Sequence, residues 1–327
     1  MSTALRAVLA LDTEHVDAVF PPSTMTRLRN SVTLSGPVRR LEEVDVSDTN
    51  VLITSWGGPR IDATLLARAP RLRAVIHAAG SVKAFVTRDV FERGIVVSSA
   101  AQANAAPVAE YTTAVTVLAA KGVLPFARLD TLRGRDLTAP DRIGLRGRKV
   151  GVVGASRIGR LVIGALHALG ARVLLADPYA DAETARGLGV ELVGLDTLCR
   201  RSDIVTIHAP ELPSTHHMFD RRQLNLLPPE AVLINTARGS LVDHDALADV
   251  CATGSLSAVL DVTDPEPLPA DHPLRSLPNV LLTPHLAGAC GRERRLLGEF
   301  AADETERLVA GLPLLGTVRF EDLAHSA

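Results

Sequence analysis

Short apolar runs alternate with longer amphipathic stretches along nearly the whole chain, and this rhythm restricts the fold more than any other feature. A run of about four to eight apolar residues fits a strand buried on both faces, and a stretch with apolar positions three or four apart fits a helix lying across it. Repeated, the pair is a βαβ unit, so parallel sheets with helices on both faces are expected. Residues 7–11, 32–34, 51–54, 74–76 and 96–98 form one series of expected strands, with a helix over 61–69 ending before Pro70. Residues 149–153, 172–176, 204–208, 232–235, 257–260 and 280–283 form a second. At 327 residues the chain exceeds a typical single core. Two doubly wound, Rossmann-like α/β sheets, one per domain, account for both series.

Residues 108–120 are apolar around most of the helical circumference, as in a helix buried between two bodies, with Pro107 placed to open its first turn. Residues 292–308 read as another long helix that returns the chain to the first domain. No short-period repeat or low-complexity tract is visible. The stretch after the last helix is too short for an added regulatory domain, so none is expected.

The composition is that of a soluble globular protein, with 46% hydrophobic and 22% charged residues and a formal net charge of −2. Without a basic excess, nucleic-acid binding through broad electrostatics is not expected. No stretch is long and apolar enough to span a bilayer, and the apolar run near the N-terminus ends in Asp12 without a small-residue cleavage pattern, which reads as a first strand. Cys199, Cys251 and Cys290 are odd in number and widely spaced, which fits reduced thiols in the cytoplasm and argues against a disulfide framework or a metal site.

Val150-Gly-Val-Val-Gly-Ala-Ser-Arg-Ile-Gly159 joins a strand, a glycine turn and a helix start, and Asp177 closes the next apolar run. A dinucleotide turn needs glycine where the chain turns, where the backbone nears the pyrophosphate and where helix packs on strand. Gly154, Ser156 and Gly159 hold these places. The serine either loosens phosphate binding through its Cβ or adds a hydrogen bond through its hydroxyl. Asp177 is placed to accept hydrogen bonds from the adenosine ribose and to repel a 2′-phosphate, which favours NAD over NADP. Its alternative reading is a solvated acid before Pro178. His208-Ala209-Pro210, Thr236-Ala237-Arg238 and Asp261 fall at C-terminal strand ends, the edge where open α/β sheets bind ligands.

Three further segments carry reactive side chains: Asn235-Thr-Ala-Arg-Gly-Ser-Leu-Val-Asp243, Leu260-Asp-Val-Thr-Asp-Pro-Glu-Pro267 and Thr283-Pro-His-Leu-Ala-Gly288. Arg238 can hold a carboxylate and polarise the adjoining carbonyl, His285 can carry a proton, and Glu266 can favour the charged imidazole. That is the equipment for hydride transfer to a 2-keto acid. Among the other histidines, His77 and His208 end apolar runs, and His216 and His217 lack a carboxylate at ligand spacing and read as surface residues. Cys290 reads as a small packed residue or as a neighbour of the site.

In this order, the glycine turn, the arginine, the acid and the histidine resemble the D-isomer-specific 2-hydroxyacid dehydrogenases, which include phosphoglycerate, glyoxylate/hydroxypyruvate and D-lactate dehydrogenases. The resemblance is strong from about Asn104 to Gly288 and general over the first hundred residues. It implies a flavodoxin-like substrate domain built from residues 1–103 and 291–327, with an NAD-binding Rossmann domain at 104–290. It implies Arg157 and Ile158 along the pyrophosphate and nicotinamide side, Asp261 near the carboxamide, and Ala287 and Gly288 beside His285 on the cofactor. It favours Glu266 over Asp264, because the family's acid immediately precedes the second proline. It places Asn104 near a cleft between domains, and it implies a homodimer through residues 104–120 and 131–144.

The activity implied is NAD-dependent hydride transfer between nicotinamide and C2 of a D-2-hydroxy acid or 2-keto acid. Trp56, Gly80, Ser81 and Val82 are the candidate substrate contacts, with Gly80 and Ser81 offering backbone N–H groups as the family's glycine-rich turn does. The family continues that turn with glycine and then Asp or Asn, whereas this chain has Val82, Lys83 and Ala84. Lys83 either pairs with a second acidic group on a substrate or is simply exposed. A formate dehydrogenase of the same fold is disfavoured because that version replaces the glutamate. An NAD-sensing corepressor is the alternative from a different class.

Overall fold

The computed structural model describes residues 4–123 and 143–323. The chain divides into two compact units, one made of Met1–Asn104 with Ala289–Ser326 and the other of Ala105–Gly288.

In the first unit, β1 (Arg6–Ala10), β2 (Thr33–Val38), β3 (Val51–Thr54), β4 (Ala74–His77) and β5 (Val96–Ser99) run parallel in the order β2-β1-β3-β4-β5. This is the flavodoxin-like doubly wound order, whose direction reverses between β1 and β3. β3 and β4 are buried at every position, which is why they read as unbroken apolar runs. Val51 and Ile53 face one core and Leu52 the other, the period of two a pleated strand imposes. β2 lies at the edge, mostly exposed, and tolerates Pro37 there because an edge strand has N–H positions that need no partner. The opposite edge is closed by Thr317–Val318, antiparallel to β5. Fully buried Glu304 ties this segment down, accepting from the Ser98 hydroxyl and from the N–H groups of Leu315 and Gly316.

The second unit contains β6 (Lys149–Val153), β7 (Arg172–Ala176), β8 (Glu191–Leu192), β9 (Ile204–Ile207), β10 (Ala231–Asn235), β11 (Leu256–Leu260) and β12 (Val280–Leu282). All pairings are parallel, in the order β8-β7-β6-β9-β10-β11-β12, the Rossmann order extended by one strand. Direction reverses between β6 and β9. Each buried Val, Leu or Ile contributes about 1.5–3 kcal/mol, so these strands hold the scaffold from which the loops project.

The helix expected over 108–120 begins earlier, at Ala101, and places Pro107 in its interior. Pro107 therefore does not open the helix. It forgoes one donor to the carbonyl four residues back, but burial of Ala105, Val108, Ala109 and Thr112 along the same helix outweighs that loss. The helix expected over 61–69 spans Ala63–Arg68 because Asp62 caps it, accepting from the N–H groups of Thr64 and Leu65. Most of the segment 131–144 lies outside the described residues. Among the described residues no helix is long and apolar enough to cross a membrane, and no cluster of His, Cys, Asp or Glu could hold a metal.

Candidate functional site

The turn after β6 stands at the reversal point of the second sheet. Gly154 has φ +97, and a Cβ there would lie 2.8 Å from the carbonyl oxygen of His208 and 2.9 Å from the nitrogen of Ala209, at the end of β9. A Cβ on Gly159 would lie 2.1 Å from the carbonyl oxygen of Gly154. These two positions admit only glycine, one for the turn and one for helix against strand. The middle position has no such demand. Ser156 has φ −62 and caps the helix Arg157–Ala168, its Oγ accepting from the N–H of Gly159 at 3.2 Å. The serine hydroxyl thus takes one first-turn donor, and the N–H groups of Arg157 and Ile158, which have no intrahelical acceptor, remain at the positive end of the helix.

Asp177 follows β7, and its carboxylate accepts from the N–H of Ala155 at 2.6 Å and of Tyr179 at 2.8 Å. It therefore joins the glycine turn to the end of the neighbouring strand, and a carboxylate that accepts two such bonds still has lone pairs to offer. His208 is buried, with Nε2 3.0 Å from the Thr206 hydroxyl, and desolvation pushes it from 6.5 down to about 3. It presents a neutral imidazole behind the turn. The narrow cradle, the open helix terminus and the acid on the adjacent strand fit a dinucleotide.

The ends of β10, β11 and β12 lie side by side, with Asn235 registered on Leu260 and Leu260 on Leu282. Arg238, Glu266 and His285 all project from the loops that follow. Asn235 shapes the first loop, accepting from the N–H of Ala237 at 3.0 Å and donating to the carbonyl of Arg238 at 2.8 Å. Arg238 is half-buried, and its Nη1 donates to the carbonyl of Ala237 at 2.6 Å. Gly239 then lets this turn press against the second loop, since a Cβ there would lie 2.1 Å from the carbonyl carbon and oxygen of Thr263.

His285 Nδ1 lies 2.7 Å from Glu266 Oε1, and both side chains are exposed, at 51% and 42%. His285 is one of the few non-glycine residues with positive φ, +51. Left-handed backbone costs an L-residue about 1–2 kcal/mol and persists only where its surroundings hold it. Here buried Asp261 does the holding. One oxygen accepts from the Thr283 hydroxyl at 2.6 Å and the Leu286 N–H at 2.8 Å, the other from the Ala287 N–H at 2.9 Å, and its carbonyl accepts from the N–H of His285 at 2.9 Å. Because Thr283 gives its hydrogen to Asp261, the Tyr111 hydroxyl 2.8 Å away donates to Thr283. Tyr111 is held above its ordinary pKa, chiefly by burial. The sequence marked Asp261 as a ligand contact, whereas in the structure most of its hydrogen-bonding capacity is spent on the His285 loop. Tyr111, Thr283 and Gly239 went unassigned, and only Gly239 carried a signal, a small residue directly after the arginine.

The substrate candidates belong to the first unit. Trp56 follows β3, and its carbonyl accepts from the N–H of Asp12 at the end of β1 at 3.0 Å. Gly80 and Ser81 follow β4 and are half-buried, with Ser81 Oγ accepting from the N–H of Lys83 at 3.4 Å. The Val82 side chain is 3% exposed and belongs to the core, so only its backbone is available to a ligand. Asn104 Oδ1 accepts from the N–H of Ala289 at 2.8 Å, and its Nδ2 approaches the Cβ position of Gly80.

Known proteins share this organisation. The sequence profile of the D-isomer specific 2-hydroxyacid dehydrogenase, NAD binding domain, matches residues 127–287. Glyoxylate reductase of Aeropyrum pernix is 35% identical over 259 residues, which cover 77% of this chain and 76% of that one. D-3-phosphoglycerate dehydrogenase of Methanocaldococcus jannaschii is 33% identical over 269 residues, 81% of this chain and 51% of that protein. The chain thus spans about half the length of the curated phosphoglycerate dehydrogenases it matches. A solved phosphoglycerate oxidoreductase from Rhizobium etli has the same fold, with a TM-score of 0.82 at 24% identity, covering 97% of this chain and 99% of that one. The chain belongs to the D-isomer specific 2-hydroxyacid dehydrogenase family and carries that family's NAD-binding domain.

Proposed function

We propose that this protein is an NAD-dependent oxidoreductase that interconverts a D-2-hydroxy acid and its 2-keto acid. The observation that carries the reading is the 2.7 Å pair of His285 and Glu266 on loops beside the Arg238 turn. Residues 104–290 act as the cofactor domain, and residues 1–103 with 291–327 as the substrate domain. Gly154, Ser156, Arg157, Ile158 and Gly159 receive the pyrophosphate, Asp177 the adenosine ribose, and the strand ends at His208–Pro210, Thr236–Arg238, Asp261 and His285–Gly288 the nicotinamide side. Bound nicotinamide supplies or accepts the hydride at C2.

Arg238 forks onto the substrate carboxylate and the C2 oxygen, fixing the keto acid and drawing electron density onto that oxygen. In reduction His285 Nε2 delivers a proton to the oxygen, and in oxidation it removes one. Glu266 on Nδ1 fixes the ring's orientation and stabilises its charged form. In the first unit, Gly80, Ser81 and the Val82 backbone are the candidate N–H donors to a carboxylate, and Trp56 is a further candidate substrate contact. The expected assembly is a homodimer through residues 104–120 and 131–144, supported by exposed Leu118 and Ile143. Its expected compartment is the cytoplasm, supported by buried free thiols at Cys199 and Cys251.

The test is loss of nicotinamide absorbance when the protein and NADH meet a panel of 2-keto acids, from glyoxylate to aromatic and dicarboxylic members. Turnover of one class with formation of the D-hydroxy acid is expected. Tight NADH binding without turnover of any member would overturn the enzymatic reading.

A further inference from the structure

The reversal point of the first sheet holds an unusual cation. Trp56 follows β3 and meets Asp12, which follows β1, so it stands where a doubly wound sheet opens a crevice between strands that turn in opposite directions. Gly57 makes this approach possible, since it has φ +71 and a Cβ there would lie 2.7 Å from the Cβ of Asp12. Over the Trp56 ring, 5.4 Å from its centre, lies the guanidinium of Arg294, the first residue of the helix Arg294–Val309.

Arginine on an indole face is commonly a packing device, worth about 0.5–1 kcal/mol where water reaches it. A packing arginine keeps its N–H groups in solvent or on a carboxylate. Arg294 does neither with its Nε, which is buried and has no hydrogen-bond partner among the described residues. No ion pair or hydrogen bond of its side chain is formed among them either. The nearby acid is otherwise engaged, because Asp12 lies 3.7 Å from Arg39 and accepts from the N–H of Glu14. A half-buried guanidinium that rests on an indole, with its Nε buried and without a partner, is an arrangement that an oxyanion completes.

We propose that Arg294, oriented by Trp56, is a specificity-determining residue for an anionic group, a phosphate or carboxylate, that the substrate carries besides its 2-keto acid carboxylate. The assignment rests on the 2-hydroxy acid reading and narrows it to substrates with two charged groups. Lys83 is not required for this.

Trp56 is the only tryptophan in the chain, so its fluorescence reports on this position without any turnover. The protein is titrated with a phosphorylated 2-hydroxy acid, a dicarboxylic one and an uncharged-tail analogue of similar length. Saturable fluorescence changes are expected with one or both doubly charged acids, and the tighter of the two identifies the anion. Arg294→Gln should weaken that binding about tenfold to a hundredfold, as loss of a charged hydrogen bond does, and leave the uncharged-tail acid unaffected. Arg294→Lys, which keeps the charge, should fall between. kcat/KM for the matching 2-keto acids should follow the same pattern. Equal wild-type affinity for charged and uncharged tails, or an Arg294→Gln protein that binds all three acids like wild type, would overturn the assignment. If no 2-keto acid is turned over, the enzymatic reading fails by itself, while the fluorescence titration still decides the role of Arg294.

Discussion

Gly239→Ala perturbs the proposed site through a single methyl group. The added Cβ would stand 2.1 Å from the carbonyl of Thr263, about 1.3 Å inside the 3.4 Å at which ordinary contact begins. Both sides are backbone, so no side chain can swing away. Either the Arg238 turn or the loop leading to Glu266 must retreat by roughly an ångström, and a misplacement of that size can cost about a hundredfold in rate. The expected result is a kcat/KM lowered by about that factor, some 2.7 kcal/mol of transition-state stabilisation, with the larger part of NADH affinity kept because the pyrophosphate and ribose contacts lie on other strands. Gly164→Ala is the internal control. It lies in the helix Arg157–Ala168 with nothing within 4 Å of its Cβ position, and should be neutral in activity and more stable by about 0.5–1 kcal/mol. Steady-state kinetics, NADH titration and thermal melting of both variants make the comparison. Near-wild-type kcat/KM in a folded Gly239→Ala protein would refute the coupling of the two loops.

Acid should destabilise both units. Burial lowers His77 from 6.5 to about 4 and His208 from 6.5 to about 3. Their stabilising contribution is complete above pH 6.5 and is lost as pH falls, because the unfolded chain takes up protons that the folded one refuses. The loss is about 1.4 kcal/mol per pH unit for each histidine until its folded value is reached; urea unfolding at pH 7 and 5 checks this, and a His208→Asn protein with an unchanged pH slope would contradict it. Tyr111→Phe removes the donor to Thr283 at a net cost of about 1 kcal/mol, so a severalfold drop in kcat with KM little altered is expected, whereas a change in KM alone would assign Tyr111 elsewhere. Asp177→Ala should weaken NADH far more than NADPH, and equal losses would remove the ribose assignment.

Strands buried on both faces were legible because their side chains must be apolar throughout, and residues 149–153 and 172–176 match β6 and β7 end to end. The two-residue edge strands Glu191–Leu192 and Thr317–Val318 were not, since pairs this short carry no periodicity. The early start of the helix Ala101–Ala120 was hidden by Pro107, whose local preference is overridden by burial. At the site, Arg238 and His285 could be picked out by residue type and neighbouring glycine or proline, while the family resemblance chose Glu266 over Asp264. What could not be read is how His285 is held. Its left-handed backbone depends on Asp261, Thr283 and Tyr111, and the link to Tyr111 spans 172 residues. Ser156 looked like a defect in the fingerprint, and only its bond to Gly159 shows it as a helix cap.

Proton carriage by His285 is the centre of this account, and His285→Asn tests it most directly, because asparagine tolerates the left-handed backbone that alanine resists. Rates of NADH oxidation with the preferred 2-keto acid, measured beside NADH affinity, should show kcat reduced about a hundredfold to ten-thousandfold with cofactor binding intact. Turnover within a few-fold of wild type would contradict it.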